Sequence, residues 1–224
     1  MKPIATVHTP FPDKFGIPRQ GEQAIGRIVF KKEYRNPDAI RGIESFSHLW
    51  LIWRFHLTER EGFRPMVRPP RLGGNQKVGV FASRAPYRPN PIGLTAVALE
   101  GVEYGSQGPV LLVRGVDMVD GTEILDIKPY LPYADSFPEA AGGYAPERPS
   151  AVLKVEWACD PLADSSLQQS ILALVAADPR PHYQQDTERV YGMRYQDVEI
   201  KFTVQQDVAT VVQVLHPQGE DNRE

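Results

Sequence analysis

The stretch Leu49-Trp50-Leu51-Ile52-Trp53-Arg54-Phe55 is dense in aromatic and β-branched side chains, the composition of a strand. Similar short runs lie on either side of it, at residues 25–30, 78–82, 96–99, 110–113 and 124–127. Gly, Pro and Asn clusters separate them, and no long helical period intervenes. That pattern favours an antiparallel barrel or sandwich over a βαβ fold. A short helix is expected from Pro37, a proline suited to the first helical turn, towards Arg41.

Further along, the texture changes. Ser136-Phe137-Pro138-Glu139-Ala140-Ala141-Gly142-Gly143-Tyr144-Ala145-Pro146-Glu147-Arg148-Pro149 is rich in Ala, Gly and Pro and reads as a linker. Residues 151–157 then alternate as a strand. A helix follows, with Asp164 or Ser165 as its N-cap and Leu167, Ile171, Leu174 and Val175 on one face. Residues 198–204 and 208–215 read as a hairpin across Gln205-Gln206-Asp207. The expected chain is therefore mainly β, with a first domain over residues 1–140 and a smaller α+β C-terminal domain over residues 150–217. The polar tail from Gln218 is expected to fray.

Hydrophobic residues make up 42% of the 224 and charged residues 24%, enough apolar material for a sizeable core. No apolar run approaches the roughly 20 residues that span a bilayer, so no membrane role is expected. The N-terminus Met1-Lys2-Pro3-Ile4-Ala5 lacks the apolar stretch of a secretory signal. The single cysteine, Cys159, forms neither an internal disulfide nor a zinc site by itself, and a cytoplasmic setting is the default expectation. The net charge of −3 hides an asymmetry. Residues 1–100 carry 16 Lys+Arg against 8 Asp+Glu, and residues 101–224 carry 9 against 20. Eight of the basic residues (Arg54, Arg60, Arg64, Arg68, Arg71, Lys77, Arg84 and Arg88) fall together, against Glu59 and Glu61. Such a stretch is either a solvated face or a surface for a polyanion.

Several enzyme signatures are missing. There is no G-x-G-x-x-G, so no Rossmann fingerprint. Leu72-Gly73-Gly74-Asn75 lacks the ending of a phosphate loop, and no G-x-S-x-G elbow occurs. His8, His48, His56, His182 and His216 show no metal-ligand spacing, so no metal is expected. What stands out instead is Arg84-Ala85-Pro86-Tyr87-Arg88-Pro89-Asn90-Pro91-Ile92-Gly93-Leu94-Thr95. Its prolines fix φ and remove backbone donors, so residues 86–91 form a stiff loop, serving either a ligand site or a structural crossover. Gly93 permits close approach of a ligand or of another chain segment. Beyond it lie Asp117, Asp120 and Asp126. Asp120 either caps its own turn or, like Asp117, meets a ligand's ribose or ammonium group. Asp126 and Lys128, two apart on a strand, are placed to pair.

The segments "ESFSHLWLIWRFH", "RPPRLGG", "GVFASRAPYRPNPIGLT", "GVDMVDGTEILDIKPYLPYAD" and "DPRPHY" closely resemble the TsaA/TrmO family of tRNA methyltransferases. The resemblance covers residues 25–135 with little interruption and reaches the smaller domain at the last motif. It implies an S-adenosylmethionine-dependent enzyme whose cofactor and catalytic domain is a β-barrel. It implies methylation of the exocyclic nitrogen of N6-threonylcarbamoyladenosine next to the anticodon of threonine-accepting tRNA. It also implies a homodimer with the cofactor near the subunit interface. Carried over, cofactor contacts fall on Pro18, Arg19 and Gln20, on His56 and Leu57, on Arg84, on Leu94, and on Asp117, Met118, Val119 and Asp120. Where the family often shows "HQ" this chain has His56-Leu57, which leaves position 57 with backbone atoms or apolar packing to offer.

The reaction needs nucleophile, methyl carbon and sulfur in line and water excluded, and the amide-like nitrogen must shed a proton. Asp120, Asp126, His56 and Tyr130 are candidates for its acceptor, and the sequence selects none. Tyr87 is open to stacking on a base or to packing in the barrel wall. Two rival functions are a methyltransferase for another nucleotide or a small molecule, and a non-catalytic tRNA-binding module.

Overall fold

Buried residues recur at every second position of the first strands, and that period wraps the sheet around a core. A computed structural model describes residues 1–17, 24–58, 61–146, 153–180, 186 and 189–216. Its strands run β1 Ala5–His8, β2 Ile25–Phe30, β3 His48–Arg54, β4 Met66–Val67, β5 Val78–Gly79, β6 Ile92–Gly105, β7 Gly108–Arg114 and β8 Thr122–Pro129. The short helix α1 spans Pro132–Asp135; then come β9 Lys154–Trp157, α2 Ser165–Ala176, β10 Tyr191–Tyr195, β11 Val198–Gln205 and β12 Val208–Leu215. Six strands close into a barrel in the order β1-β2-β7-β6-β3-β8, every neighbouring pair antiparallel.

The strand that closes the ring is β1. Its four residues pair with β2 on one side and β8 on the other, which makes the sheet a barrel and not a sandwich. Ala5-Thr6-Val7-His8 alternates apolar and polar but holds only two apolar residues, too few to mark a strand by composition. Val7, Ile28, Leu49, Leu51, Leu111, Val113 and Ile124 are fully buried inside, each contributing about 1.5–3 kcal/mol of burial free energy. One expected strand is corrected. Of residues 78–82 only Val78–Gly79 pairs, with Met66–Val67. Val80–Ala82 coils into a 3-10 turn, because Val80 N–H donates to Pro65 O at 3.0 Å and Ser83 N–H to Val80 O at 3.2 Å. The short helix expected from Pro37 is present as a 3-10 helix, Pro37–Ile40, capped by Asn36.

The chain divides into two compact units, Met1–Pro10 with Arg19–Glu147, and Phe11–Pro18 with Arg148–Glu224. The second holds a sheet of order β10-β11-β12-β9, with β9 parallel to β12 and the other pairs antiparallel. Helix α2 begins where expected: the Asp164 carboxylate accepts from Ser166 N–H at 2.8 Å and Leu167 N–H at 3.1 Å, satisfying two of the donors a helix start leaves open. Ile171 and Val175 of its apolar face are fully buried, as are Val198, Ile200 and Phe202 of β11. The β11–β12 turn is tighter than expected, since Gln205 still pairs with Val208 and Gln206 takes a φ of 54°. The stretch expected to be a linker holds turns at residues 138–139 and 143–144; residues 147–150 lie outside the described residues. Among the described residues no helix is long and apolar enough to cross a membrane.

One glycine of the barrel has a steric reason. Gly93 lies opposite Trp53 in the β3–β6 ladder, and a Cβ at Gly93 would fall 2.3 Å from the Trp53 ring. Gly93→Ala is therefore expected to force the indole aside and to lower unfolding free energy by about 1–3 kcal/mol, the usual cost of overpacking. Urea denaturation followed by tryptophan fluorescence measures it.

Candidate active site

Strand direction brings the relevant segments to one rim of the barrel. The end of β3 lies beside the start of β6, Arg54 opposite Ile92, and beside the start of β8, Trp53 opposite Ile124. The end of β1 meets the start of β8, Val7 opposite Thr122. The loop from Gly115 to Gly121 joins β7 to β8 at that same rim. Asp117 and the end of the Pro-rich loop therefore converge, though they are far apart in sequence, and the charge of Arg84 reaches Asp117.

A chain of hydrogen bonds anchors the rim. Trp53 Nε1–H donates to Thr95 Oγ1 at 3.0 Å, and the Thr95 hydroxyl donates to Asp117 Oδ1 at 2.8 Å. Indole nitrogen can only donate, so it fills the acceptor side of the threonine oxygen and directs the hydroxyl hydrogen at the carboxylate. Burial pushes the Asp117 carboxyl above the ordinary range, while the Thr95 bond and the charge of Arg84 pull it back. Desolvation is the largest influence, so the ionised carboxylate is incompletely compensated from within the protein. Arg84 itself is exposed. A withdrawn carboxylate with an exposed guanidinium near it suits a zwitterionic amino-acid moiety, an ammonium towards Asp117 and a carboxylate towards Arg84. The chemistry of these groups therefore fits the methionine end of S-adenosylmethionine.

Other expected contacts are distributed differently. Leu94 is 53% exposed, and by alternation its side chain points to the face opposite Gly93 and Thr95. It does not join the Asp117 cluster through its side chain. His56 and Leu57 follow β3 in a turn, half-buried and exposed respectively, and Phe55 N–H donates to Pro91 O at 2.8 Å, which ties this turn to the Pro-rich loop. The Met118 side chain is buried in the core, and its carbonyl accepts from the Thr9 hydroxyl at 3.0 Å. The Val119 carbonyl accepts from Thr122 N–H and, at 2.6 Å, from the Thr122 hydroxyl. Asp120 does not cap its own turn. It accepts from Thr9 N–H at 2.9 Å and lies 3.3 Å from His8 Nδ1, so it fastens the loop to β1. Pro18, Arg19 and Gln20 lie outside the described residues.

The remaining candidates for proton acceptor sit in separate places. Asp126 pairs with Lys128 at 3.0 Å, as their spacing suggested. Tyr130 packs beside Trp50 and His48, with ring centres 5.5 and 6.1 Å away. Tyr87 is not in the barrel wall: the Arg64 guanidinium lies 4.2 Å from its ring centre.

The basic stretch is partly consumed by the fold. Arg54 pairs with Glu123 at 3.3 Å and Arg64 with Glu61 at 2.9 Å. Arg88 donates to the carbonyls of Val80 and Ser83 at 3.0 and 2.8 Å, locking the Pro-rich loop from within. Arg68, Lys77 and Arg84 stay exposed; Arg60 lies outside the described residues. Sequence reasoning missed Trp53 and Thr95; the one trace of them was Gly93, read as permitting close approach of a ligand or another segment, and that segment is Trp53.

A closed six-stranded antiparallel barrel with a buried acid at its rim and an arginine near it, followed by a small α+β domain, is the class of fold seen here. Residues 6–136 match the model of the tRNA-methyltransferase O N-terminal domain and residues 153–217 that of the TrmO C-terminal domain, so the chain belongs to the TrmO family. It is 39% identical over 214 residues to the tRNA (adenine(37)-N6)-methyltransferase of Escherichia coli K12, covering 90% of this chain and 91% of that protein. It is 45% identical over 180 residues to the enzyme of that name from Eikenella corrodens, covering 78% of this chain and 100% of that protein. The crystal structure of TrmO from Pseudomonas aeruginosa superposes with a TM-score of 0.76 at 32% identity, over 95% of this chain and 97% of that one.

Asp117→Asn tests the electrostatics of the rim. A raised carboxyl pKa favours the protonated side chain in the folded state, so this site stabilises the fold at acid pH and that stability is lost as pH rises through the folded pKa. The amide carries no such dependence. The variant is expected to match the wild type near about pH 3, below the ordinary carboxylate range, and to equal or exceed it in thermal midpoint at neutral pH. Affinity for S-adenosylmethionine should fall roughly 10-fold or more, the order expected for a lost charge-assisted hydrogen bond. Differential scanning calorimetry and titration calorimetry read the two effects.

Proposed function

We infer that this chain is an S-adenosylmethionine-dependent tRNA methyltransferase that methylates N6 of adenosine 37, the nucleoside beside the anticodon. The observation that carries this reading is Asp117, withdrawn from solvent, oriented by Thr95 and faced by Arg84, at the rim of a barrel whose family and named relatives are tRNA methyltransferases. The finer reading is that the substrate adenosine already carries its threonylcarbamoyl group, in threonine-accepting tRNA, and that the enzyme is a cytoplasmic homodimer with the cofactor near the subunit interface. The motif resemblance across residues 25–135 supports it.

S-adenosylmethionine supplies a methyl group already activated on a sulfonium. The protein's task is placement. Asp117 and Arg84 would hold the two charged groups at the cofactor's amino-acid end, and the Trp53–Thr95 chain keeps the Asp117 carboxylate in one orientation, so little ordering cost would remain at the moment of reaction. Arg88 and the prolines hold the loop that carries Arg84. The substrate nitrogen would take the methyl as the carbon–sulfur electron pair goes to sulfur, and the nitrogen's proton would pass to a base. Exposed Arg68 and Lys77 provide charge for the phosphate backbone, and the acidic excess beyond residue 100 leaves the overall charge negative.

Incubating the protein and S-adenosylmethionine with tRNA from cells lacking this gene should add one methyl to the threonylcarbamoyl nucleoside, detected by mass spectrometry of the digested tRNA. A methyl on plain adenosine instead would remove the finer reading, and no transfer would remove the coarser one. Arg84→Ala should weaken cofactor binding by about an order of magnitude, on the scale of a charge-assisted contact. Arg68→Ala should leave cofactor binding alone and reduce the slope of log K against log salt for tRNA by about one.

A further inference from the structure

Two phenylalanines stand in solvent beside the basic loop. Phe63 is 53% exposed and Phe81 71%, and their rings stack with centres 6.5 Å apart and planes 27° from parallel. The fold brings them together: β4 pairs with β5, Met66 opposite Gly79, and Val80 N–H donates to Pro65 O. Met66 adds a further half-exposed apolar side chain. Water-exposed aromatic clusters of this kind mark surfaces that something else covers.

The surroundings are cationic. The Arg88 guanidinium lies 5.4 Å from the Phe81 ring centre, and Arg64 covers Tyr87 close by, its backbone N–H bonded to Tyr87 O at 3.1 Å. Arg68 and Lys77 flank the paired residues Val67 and Val78. From residue 61 to residue 91 the sequence holds six basic residues and one acid, Glu61, which pairs with Arg64. We propose that Phe81 with Phe63 is a stacking platform for unpaired bases of an RNA loop, seated by phosphate contacts from the flanking basic residues. Aromatic faces accept any base, and cations beside them follow the backbone. The rival occupant is a second copy of this chain. A two-fold interface over this patch would set the same cations against each other, so charge complementarity favours the polyanion. The proposal rests on the tRNA reading above and assigns residues to it.

The test compares a hairpin RNA with an unpaired loop and a fully paired duplex of equal length. Phe81→Ala and Phe63→Ala are each expected to weaken hairpin binding about tenfold, the scale of one lost stacked base. Duplex binding, S-adenosylmethionine affinity and the salt slope should stay as in the wild type, because stacking releases no counterions. Phe81→Trp should keep hairpin binding, which separates loss of a ring from loss of fold. Equal loss on both RNAs, no loss on either, or failure of the wild type to bind the hairpin overturns the proposal. So does sedimentation showing that Phe81→Ala splits a dimer while hairpin binding is intact, since a second copy then covers the patch. Methyl transfer separates this proposal from the function it rests on. Transfer with an unaffected Phe81→Ala variant defeats only the platform; hairpin binding that responds as expected, without transfer to tRNA, defeats only the methyltransferase.

Discussion

The indole of Trp53 occupies the space that a side chain at position 93 would fill, and the rim of the barrel is built outward from that contact. With the ring held there, its single N–H reaches Thr95, and the threonine must then turn its hydrogen towards Asp117. A carboxylate withdrawn from water is costly to ionise. A donor whose direction is forced by a second donor offsets part of that cost without adding a charge. The remaining deficit keeps the Asp117 carboxyl above its ordinary pKa.

The loop that presents Arg84 is stiffened by two means. Prolines 86, 89 and 91 restrict the backbone, and Arg88 turns inward to bond the carbonyls of Val80 and Ser83. An arginine in a basic stretch is thus spent on structure, while its neighbours Arg84 and Arg68 remain at the surface. Asp120 behaves in the same way among the acids: it ties the β7–β8 loop to Thr9 and thereby to β1, the strand that closes the barrel. Similar residue types, a few positions apart, divide between holding the site and forming it.

Much of this molecule was legible in its sequence because the signals were local. Strand composition placed β2, β3, β7, β8, β11 and β12, aspartate before an apolar period placed the start of α2, and proline density excluded regular structure from residues 86–91. The motif resemblance supplied the barrel, the cofactor and the substrate class. It also supplied Arg84 and Asp117, which the fold then brought together.

What the tertiary structure alone decided depends on register and distance. Closure of the barrel rests on the four residues of β1, whose pairing partners lie about twenty and over a hundred residues away and whose alternation is too short to stand out in the sequence. The link from Trp53 to Thr95 to Asp117 crosses β3, β6 and the β7–β8 loop, and no spacing along one strand encodes it. Whether an arginine faces solvent or a carbonyl is likewise decided by what packs beside it. The sequence by itself determined which chemistry the chain carries; the closed barrel determined which atoms of that chemistry meet.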